Sequence, residues 1–293
     1  MHIPVLKEEV LEIFSPKENE NFIDCTIGEG GHAFSILERT KPEGKVLGID
    51  LNKKILEEVK RLRRERGLEN RLILVEGSFA ELKEIVNKTN FEKAEGILFD
   101  LGLNDWLLQK SGLGFSFLRD EPLIMRYDGK SSLLTAKEIL NNWTGERIRK
   151  ILKEYGQEKF ALRIVKEIIR EREKREISST LQLVEIIKRA VPRWYQRRKI
   201  HFATKTFQAL RIAVNDEIEN LKKGLSQAVE VLEKKGKIIV ISYHSLEDRT
   251  VKNFFKNEKF LKILTKKPIV PSAKEILINK KARSAKLRAA EKI

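Results

Sequence analysis

Four short apolar runs, Phe22 to Ile27, Lys45 to Asp50, Arg71 to Glu76 and Gly96 to Asp100, punctuate the first third of the chain, each closed by an acid or a glycine. Helix-like stretches stand between them, around Ala33 to Arg39, Lys53 to Arg66 and Phe79 to Asn87. Strands buried on both faces read as continuous apolar runs, and joining them in parallel needs a crossover, usually a helix. The alternation predicts an α/β fold built on a parallel sheet. A fifth run, Lys237 to Ser242, follows the fourth only after more than 130 residues, so an insertion is expected to interrupt the sheet.

The interruption begins with residues 102 to 134, where Gly102, Gly112, Gly114, Pro122 and Gly129 are interspersed with Trp106, Phe115, Phe117 and Tyr127. That mixture is too irregular for a helix and too apolar for a disordered linker, which predicts a packed functional loop. Helical patterning follows from Glu146 to Arg175 and from Thr180 to Val191, with Ile148, Ile151, Leu152 and Tyr155 on one face and basic side chains on the other. Pro192 breaks it, and Arg193, Trp194, Tyr195, Arg197, Arg198 and Lys199 come next. A single long helix is then expected from about Thr204 to Lys235, with Phe207, Leu210, Val214, Ile218, Leu221, Leu225 and Leu232 at helical spacing.

Charge is unevenly distributed. The chain has 293 residues and a net charge of +16, yet residues 1–144 hold 21 basic and 25 acidic side chains. Residues 145–200 hold 17 and 8, and residues 279–293 hold 6 and 1. Localised basicity points to a polyanionic partner, with the helical lobe and the tail from Lys280 to Arg288 expected on phosphates. No apolar run approaches the roughly 18 residues of a membrane span, and the start lacks the basic and apolar regions of a secretory signal. With one cysteine, Cys25, no internal disulfide forms, and a cytoplasmic location is expected. Cys25 itself reads as a small buried hydrophobe. His2, His32, His201 and His244 show no ligand-type pairing, so no metal site is expected.

The first run closes as DCTIGEGGHA, Asp24 to Ala33. Glycines there permit a sharp strand-to-helix turn and close approach of a ligand to the backbone. The next run ends at Asp50, 22 residues after Gly28, where an acid accepts hydrogen bonds from ribose hydroxyls. Together they indicate an adenosine-bearing cofactor, either a dinucleotide or S-adenosyl-L-methionine. A pyrophosphate on this turn would meet the like charge of Glu29, whereas the cationic sulfonium and amino groups of S-adenosylmethionine suit Asp24 and Glu29. Asp100 closes the fourth run, where open α/β sheets bind ligands, and is placed to bridge cofactor and substrate. Each acid has a structural alternative: Asp24 capping a turn, Asp50 merely ending a strand, Asp100 holding its own loop.

The stretches HIPVL (2–6), DCTIGEGGHA (24–33), GIDLN (48–52), GILFDLG (96–102), GFSF (114–117), PLIMRYD (122–128), TFQALRIAVNDEI (206–218), SYHSLEDRTVK (242–252) and ARSAKLRAAE (282–291) occur in an order that resembles the bacterial ribosomal RNA small-subunit methyltransferase H family, the 16S RNA cytosine-N4 methyltransferases. The resemblance covers nearly the whole chain. It implies a class I (Rossmann-like) methyltransferase sheet at residues 1–104 and 204–293, carrying an inserted, mostly helical RNA-binding domain at residues 105–203. It implies methylation of the exocyclic N4 of a cytidine in the decoding centre of 16S ribosomal RNA, within the small ribosomal subunit. The family's cofactor contacts fall on Gly30, Gly31, His32, Asp50, Phe79 and Asp100. A further family contact, a glutamine after DLG, aligns with Leu107, and Gln109 lies two positions on.

The sequence departs from the family pattern at Asn104 and Asp105 after DLG, at Ile124 before the MRM-like segment, and at Phe202 and Lys205. These departures concern the base pocket. Methyl transfer from a sulfonium is an in-line displacement, so positioning carries most of it. Cytosine N4 is a poor nucleophile, and Asp100 and Asn104 are the candidate catalytic acceptors for its hydrogens. Trp106, Phe115, Phe117 and Tyr127 are candidates to receive an unstacked base, or simply to pack the loop. Gln208, Arg211 and Asn215 share a polar helix face expected along the cleft. Two alternatives stand beside this reading: a dinucleotide-dependent oxidoreductase, and an RNA-binding assembly factor that keeps the sheet without turnover.

Overall fold

A computed structural model describes residues 3–91, 93–104, 106–129 and 133–293; His2 of the HIPVL segment and Asp105 lie outside the described residues. The chain divides into two compact units, Met1–Gly102 with Ile218–Ile293, and Leu103–Glu217.

In the first unit the apolar runs become β1 (Phe22–Asp24), β2 (Val46–Asp50), β3 (Leu72–Glu76), β4 (Ala94–Asp100) and β5 (Leu232–Ser242). With β6 (Leu261–Ile263) and β7 (Lys286–Lys292) they form a seven-stranded sheet in the order β3-β2-β1-β4-β5-β7-β6. Neighbours among β1 to β5 pair in parallel, and β7 is antiparallel to both β5 and β6. The crossovers after β1, β2 and β3 carry the helices Gly31–Arg39, Lys53–Glu65 and Leu82–Thr89. Winding proceeds outward from β1 to β3 and then reverses, so that β4 lies on the other side of β1. The carboxyl ends of β1 and β4 therefore flank the topological switch point, where such sheets leave a crevice for ligand.

The core of this unit is made by the strands' own apolar residues. Ile23, Leu47, Ile49, Ile97, Phe99, Ile238 and Val240 are buried, with Leu221, Leu225 and Ala228 of the helix Glu217–Val231 packed in the same cluster. Each large apolar side chain among them stabilises the fold by about 1.5–3 kcal/mol. At Gly224 a Cβ would lie 2.7 Å from the Phe79 ring, so the missing side chain lets this helix settle directly on the turn after β3.

Two expectations from the sequence are corrected here. The helix from Thr204 to Lys235 is two helices, Thr204–Asn215 and Glu217–Val231, separated by Asp216 at φ 48°. The apolar spacing runs through the break because both helices bury residues at the same period, and a short polar residue such as Asp tolerates the left-handed conformation that splits them. The chain then enters β5 at Leu232, ahead of Gly236. Arg288, at the end of the basic tail, is not a free cation either. Residues 286–292 form β7, where Arg288 Nε sits 2.6 Å from Asp248 Oδ1 and Lys286 Nζ 3.4 Å from Oδ2. Arg288 is buried in this pair, while Lys286 stays partly exposed.

The second unit is helical: Ala136–Asn142, Gly145–Glu154, Ala161–Arg172, Thr180–Ala190, Arg193–Gln196 and Thr204–Asn215. Side-chain caps set where several begin. Thr135 and Glu138 form a reciprocal capping box, and the Thr144 and Ser179 hydroxyls accept the amides of Arg147 and Gln182. Ile139, Leu140, Ile148, Leu152, Ile164, Ile168, Leu183, Ile187 and Leu210 make one core, and the loop aromatics join it.

Candidate active site

β1 ends at Asp24, and the chain turns through Cys25 to Gly30 before the helix Gly31–Arg39. Gly28 (φ 49°) and Gly30 (φ 82°) take left-handed conformations that cost an L side chain about 1–2 kcal/mol. Gly30 would also drive a Cβ to 2.6 Å from the Phe34 ring. The turn is stitched to the end of β2: the Ile27 amide donates to the Ile49 carbonyl at 2.9 Å, and the Gly28 amide to Asp50 Oδ2 at 3.1 Å. Asp50 Oδ1 accepts the Asn52 amide at 2.9 Å. Burial pushes the Asp50 carboxyl up to about 6, against the pull of these amides.

Asp24 is 1% exposed and caps the turn by accepting the Thr26 amide at 3.1 Å. Burial raises it to about 7, with nearby His32 opposing the shift. It therefore serves the structural alternative, while Glu29 lies half-buried on the turn. His32 is 6% exposed, and neither ring nitrogen has a hydrogen-bond partner among the described residues. Its Nε2 lies 3.7 Å from Asp100 Oδ2.

Asp100 closes β4 with its amide donating to Thr26 Oγ1 at 2.7 Å, which ties β4 to the first turn. Its Oδ1 accepts the Tyr243 hydroxyl at 2.9 Å and the Gly102 amide at 3.3 Å. Phe79 begins the turn after β3, held edge-on to Phe99 with ring centroids 5.5 Å apart. Gly30, Gly31, His32, Asp50, Phe79 and Asp100 thus follow the carboxyl ends of β1 to β4 within one unit. Tyr243 and Thr26 also stand there, and neither is singled out by sequence reasoning. The available signal was position: Tyr243 is the first residue beyond β5, at the same edge.

Asn104 belongs to the second unit, where its Oδ1 accepts the Leu107 amide at 2.9 Å and starts the turn Trp106–Lys110. Leu107 is buried in the helical core and Gln109 is exposed. The aromatics of the loop are largely used in packing. Phe115 stacks on Tyr127 with centroids 5.5 Å apart, and Phe117 stacks on His201 at 4.6 Å. The polar face of the helix Thr204–Asn215 secures the same loop: Asn215 Oδ1 accepts the Tyr127 amide at 3.0 Å, its Nδ2 donates to the Met125 carbonyl at 2.7 Å, and Arg211 grips Glu217 at 2.7 and 2.9 Å. Gln208 Nε2 donates to the Tyr155 carbonyl at 3.0 Å. Arg193, Trp194, Arg197, Arg198 and Lys199 are all exposed.

The sequence model of the MraW methylase family matches residues 1–293. Curated relatives named "Ribosomal RNA small subunit methyltransferase H" are similar along the full chain. That of Persephonella marina is 44% identical, covering 100% of this chain and 99% of its own. That of Thermosipho melanesiensis is 45% identical, with 100% and 98% covered. A solved chain from Streptococcus mutans, in complex with SAH, has a TM-score of 0.50 at 13% identity, with 100% of both chains covered. The last likeness is one of fold. Among the described residues no helix is long and apolar enough to cross a membrane.

Proposed function

The chain belongs to the MraW methylase family, and from that premise we propose that it is an S-adenosylmethionine-dependent methyltransferase of small-subunit ribosomal RNA, with the exocyclic N4 of a cytidine in the decoding centre of 16S RNA as acceptor. The observation that carries the reading is the meeting, at adjacent strand ends, of a glycine turn fastened to Asp50 and an Asp100 carboxylate with one oxygen already held by Tyr243.

The residues fit the methyl donor. Two buried ring nitrogens without partners are rare, and a polar ligand on the turn would satisfy those of His32. Asp50 retains lone pairs beyond those its backbone amides use, which suits ribose hydroxyls. Gly30 and Gly31 let the turn pack closely on Phe34 and Pro4, and with Phe79 and Asp100 they complete the proposed cofactor contacts. When bound, S-adenosylmethionine supplies an electrophilic methyl carbon on a sulfonium.

The chain's own part is to hold N4 in line and keep its lone pair directed at that carbon. Asp100 and Asn104 are the proposed acceptors for the N4 hydrogens. The N4 proton departs only as the nitrogen bonds the methyl and becomes acidic, so no prior removal is needed. RNA docking is assigned to the inserted helical part, whose exposed Arg and Lys contact phosphates and set affinity rather than base choice. The reaction belongs in the cytoplasm, with the small ribosomal subunit or its RNA as partner.

The test is transfer of labelled methyl to 30S subunits or 16S RNA, followed by nuclease mapping. Label in N4-methylcytidine is expected. Label on protein or DNA alone overturns the substrate, and tight NAD binding without S-adenosylmethionine binding overturns the cofactor.

A further inference from the structure

Asp100 is held at one oxygen by two donors. Its Oδ1 is taken twice, by the Tyr243 hydroxyl at 2.9 Å and the Gly102 amide at 3.3 Å. Its Oδ2 carries no hydrogen bond among the described residues and faces His32 Nε2 at 3.7 Å. A carboxylate fixed at one oxygen cannot rotate about its terminal bond, so the other oxygen points in a set direction.

Tyr243 is itself fixed at three places. Its amide donates to Glu247 Oε2 at 2.8 Å, and Glu247 is buried in the capping box that starts the helix Ser245–Asn257. Its ring packs on Gly102, where a Cβ would come within 2.8 Å of ring carbons Cε2 and Cζ and 3.0 Å of the hydroxyl. Only glycine at 102 admits the ring in this position. Its hydroxyl ends on Asp100. Burial, with Asp100 beside it, pushes the phenol well above its ordinary range, so it stays protonated and donates at every working pH.

We propose that Tyr243 is a positioning residue for methyl transfer: by holding Asp100 Oδ1 it aims Oδ2 at the acceptor amine. The inference rests on the methyltransferase reading above and deepens it. In the transfer the sulfur–carbon bond breaks, a carbon–nitrogen bond forms, and the amine sheds one proton. An acceptor that holds one N–H throughout keeps the lone pair along the line of attack. Misplacing such a group by about 1 Å costs on the order of 100-fold in rate. Tyr243 touches neither reacting atom, and its effect passes through Asp100.

The experiment is Tyr243→Phe in the full-length protein, which keeps the ring against Gly102 and deletes one oxygen. Methyl transfer to 30S subunits, S-adenosylmethionine affinity by calorimetry and the thermal midpoint are measured together. The expected result is a kcat lowered by about 10- to 100-fold, with RNA KM and cofactor affinity each within about threefold and the thermal midpoint little changed. Gly102→Ala, which pushes the ring away from Asp100, is expected to lower kcat in the same way. An unchanged kcat in Tyr243→Phe, with an active wild type, overturns the inference and leaves the methyltransferase reading standing. Loss of cofactor affinity as large as the loss of kcat also overturns it, because Tyr243 would then be part of the cofactor's seat. A wild type that transfers no methyl to RNA overturns the reading and the inference together.

Discussion

The Gly28 amide donates to Asp50 Oδ2 at 3.1 Å, so the carboxylate that ends β2 also fixes the turn that follows β1. The same side chain accepts the Asn52 amide at 2.9 Å through its other oxygen. Asp50→Ala leaves both amides without that acceptor and removes the proposed ribose acceptor. Each lost partner costs about 1–3 kcal/mol where the amide stays buried. Calorimetry is expected to show S-adenosylmethionine affinity lowered by at least about 100-fold, with Asp50→Asn, which keeps one acceptor oxygen, intermediate. Wild-type affinity in Asp50→Ala would remove Asp50 from the site.

Burial places the Asp50 carboxyl at about 6, inside the range that buffers reach without unfolding most proteins. Its acceptor strength toward ribose hydroxyls belongs to the ionised form. Lowering the pH from 7.5 to 5.5 is therefore expected to weaken cofactor binding, by up to about tenfold per pH unit below the transition. Proton release on binding near pH 6, read from calorimetry in buffers of different ionisation enthalpy, is the companion signal. An affinity flat across this range counts against Asp50 as the ribose partner.

At Asp24 the same cause, burial, acts on stability. Its folded value of about 7 lies above the ordinary carboxyl value, chiefly from burial and despite His32. The folded state then binds the extra proton, so this contribution to stability is complete below about pH 4 and is lost as pH rises through 7. The ionised group weakens the fold by about 4 kcal/mol at pH 8. Asp24→Asn keeps an acceptor for the Thr26 amide and cannot ionise. Its thermal midpoint should exceed that of the wild type at pH 8, and the gap should close toward pH 5. A gap independent of pH would mean that the Asp24 carboxyl does not titrate in this window.

How legible these features were depends on how each element is buried. The five parallel strands show in the sequence because their runs are apolar, with β1, β2 and β4 buried along almost their whole length. β7 escapes because it reads KLRAAEK: its alanines are buried while Arg288 and Lys286 are neutralised by Asp248, 40 and 38 residues away, a pairing that only the fold creates. The break at Asp216 escapes because apolar spacing carries no record of one residue's φ. In the site, Asp50 and the glycine turn were legible as a spacing, since consecutive strand ends converge on the switch point. Tyr243 was not, because its link to Asp100 spans 143 residues and depends on the missing Cβ of Gly102.

The helical unit supplies the last prediction. Residues 145–200 hold 17 basic against 8 acidic side chains, and several of these cations are already paired, as Arg189 is with Glu171 and Glu167. Arg197, Arg198 and Lys199 form no ion pair among the described residues and are exposed beside Trp194, itself 57% exposed. Such groups bind phosphate by releasing counterions, which makes affinity fall with salt by about 0.7 log units per contacted phosphate for single-stranded RNA. Replacing all three by Ala should lower RNA affinity at low salt and reduce the slope of log affinity against log salt by about 2. Cofactor affinity should not change, because the three side chains lie outside the unit that carries the glycine turn and Asp50. An unaltered slope would move RNA docking away from this cluster while leaving the chemistry at Asp100 untouched.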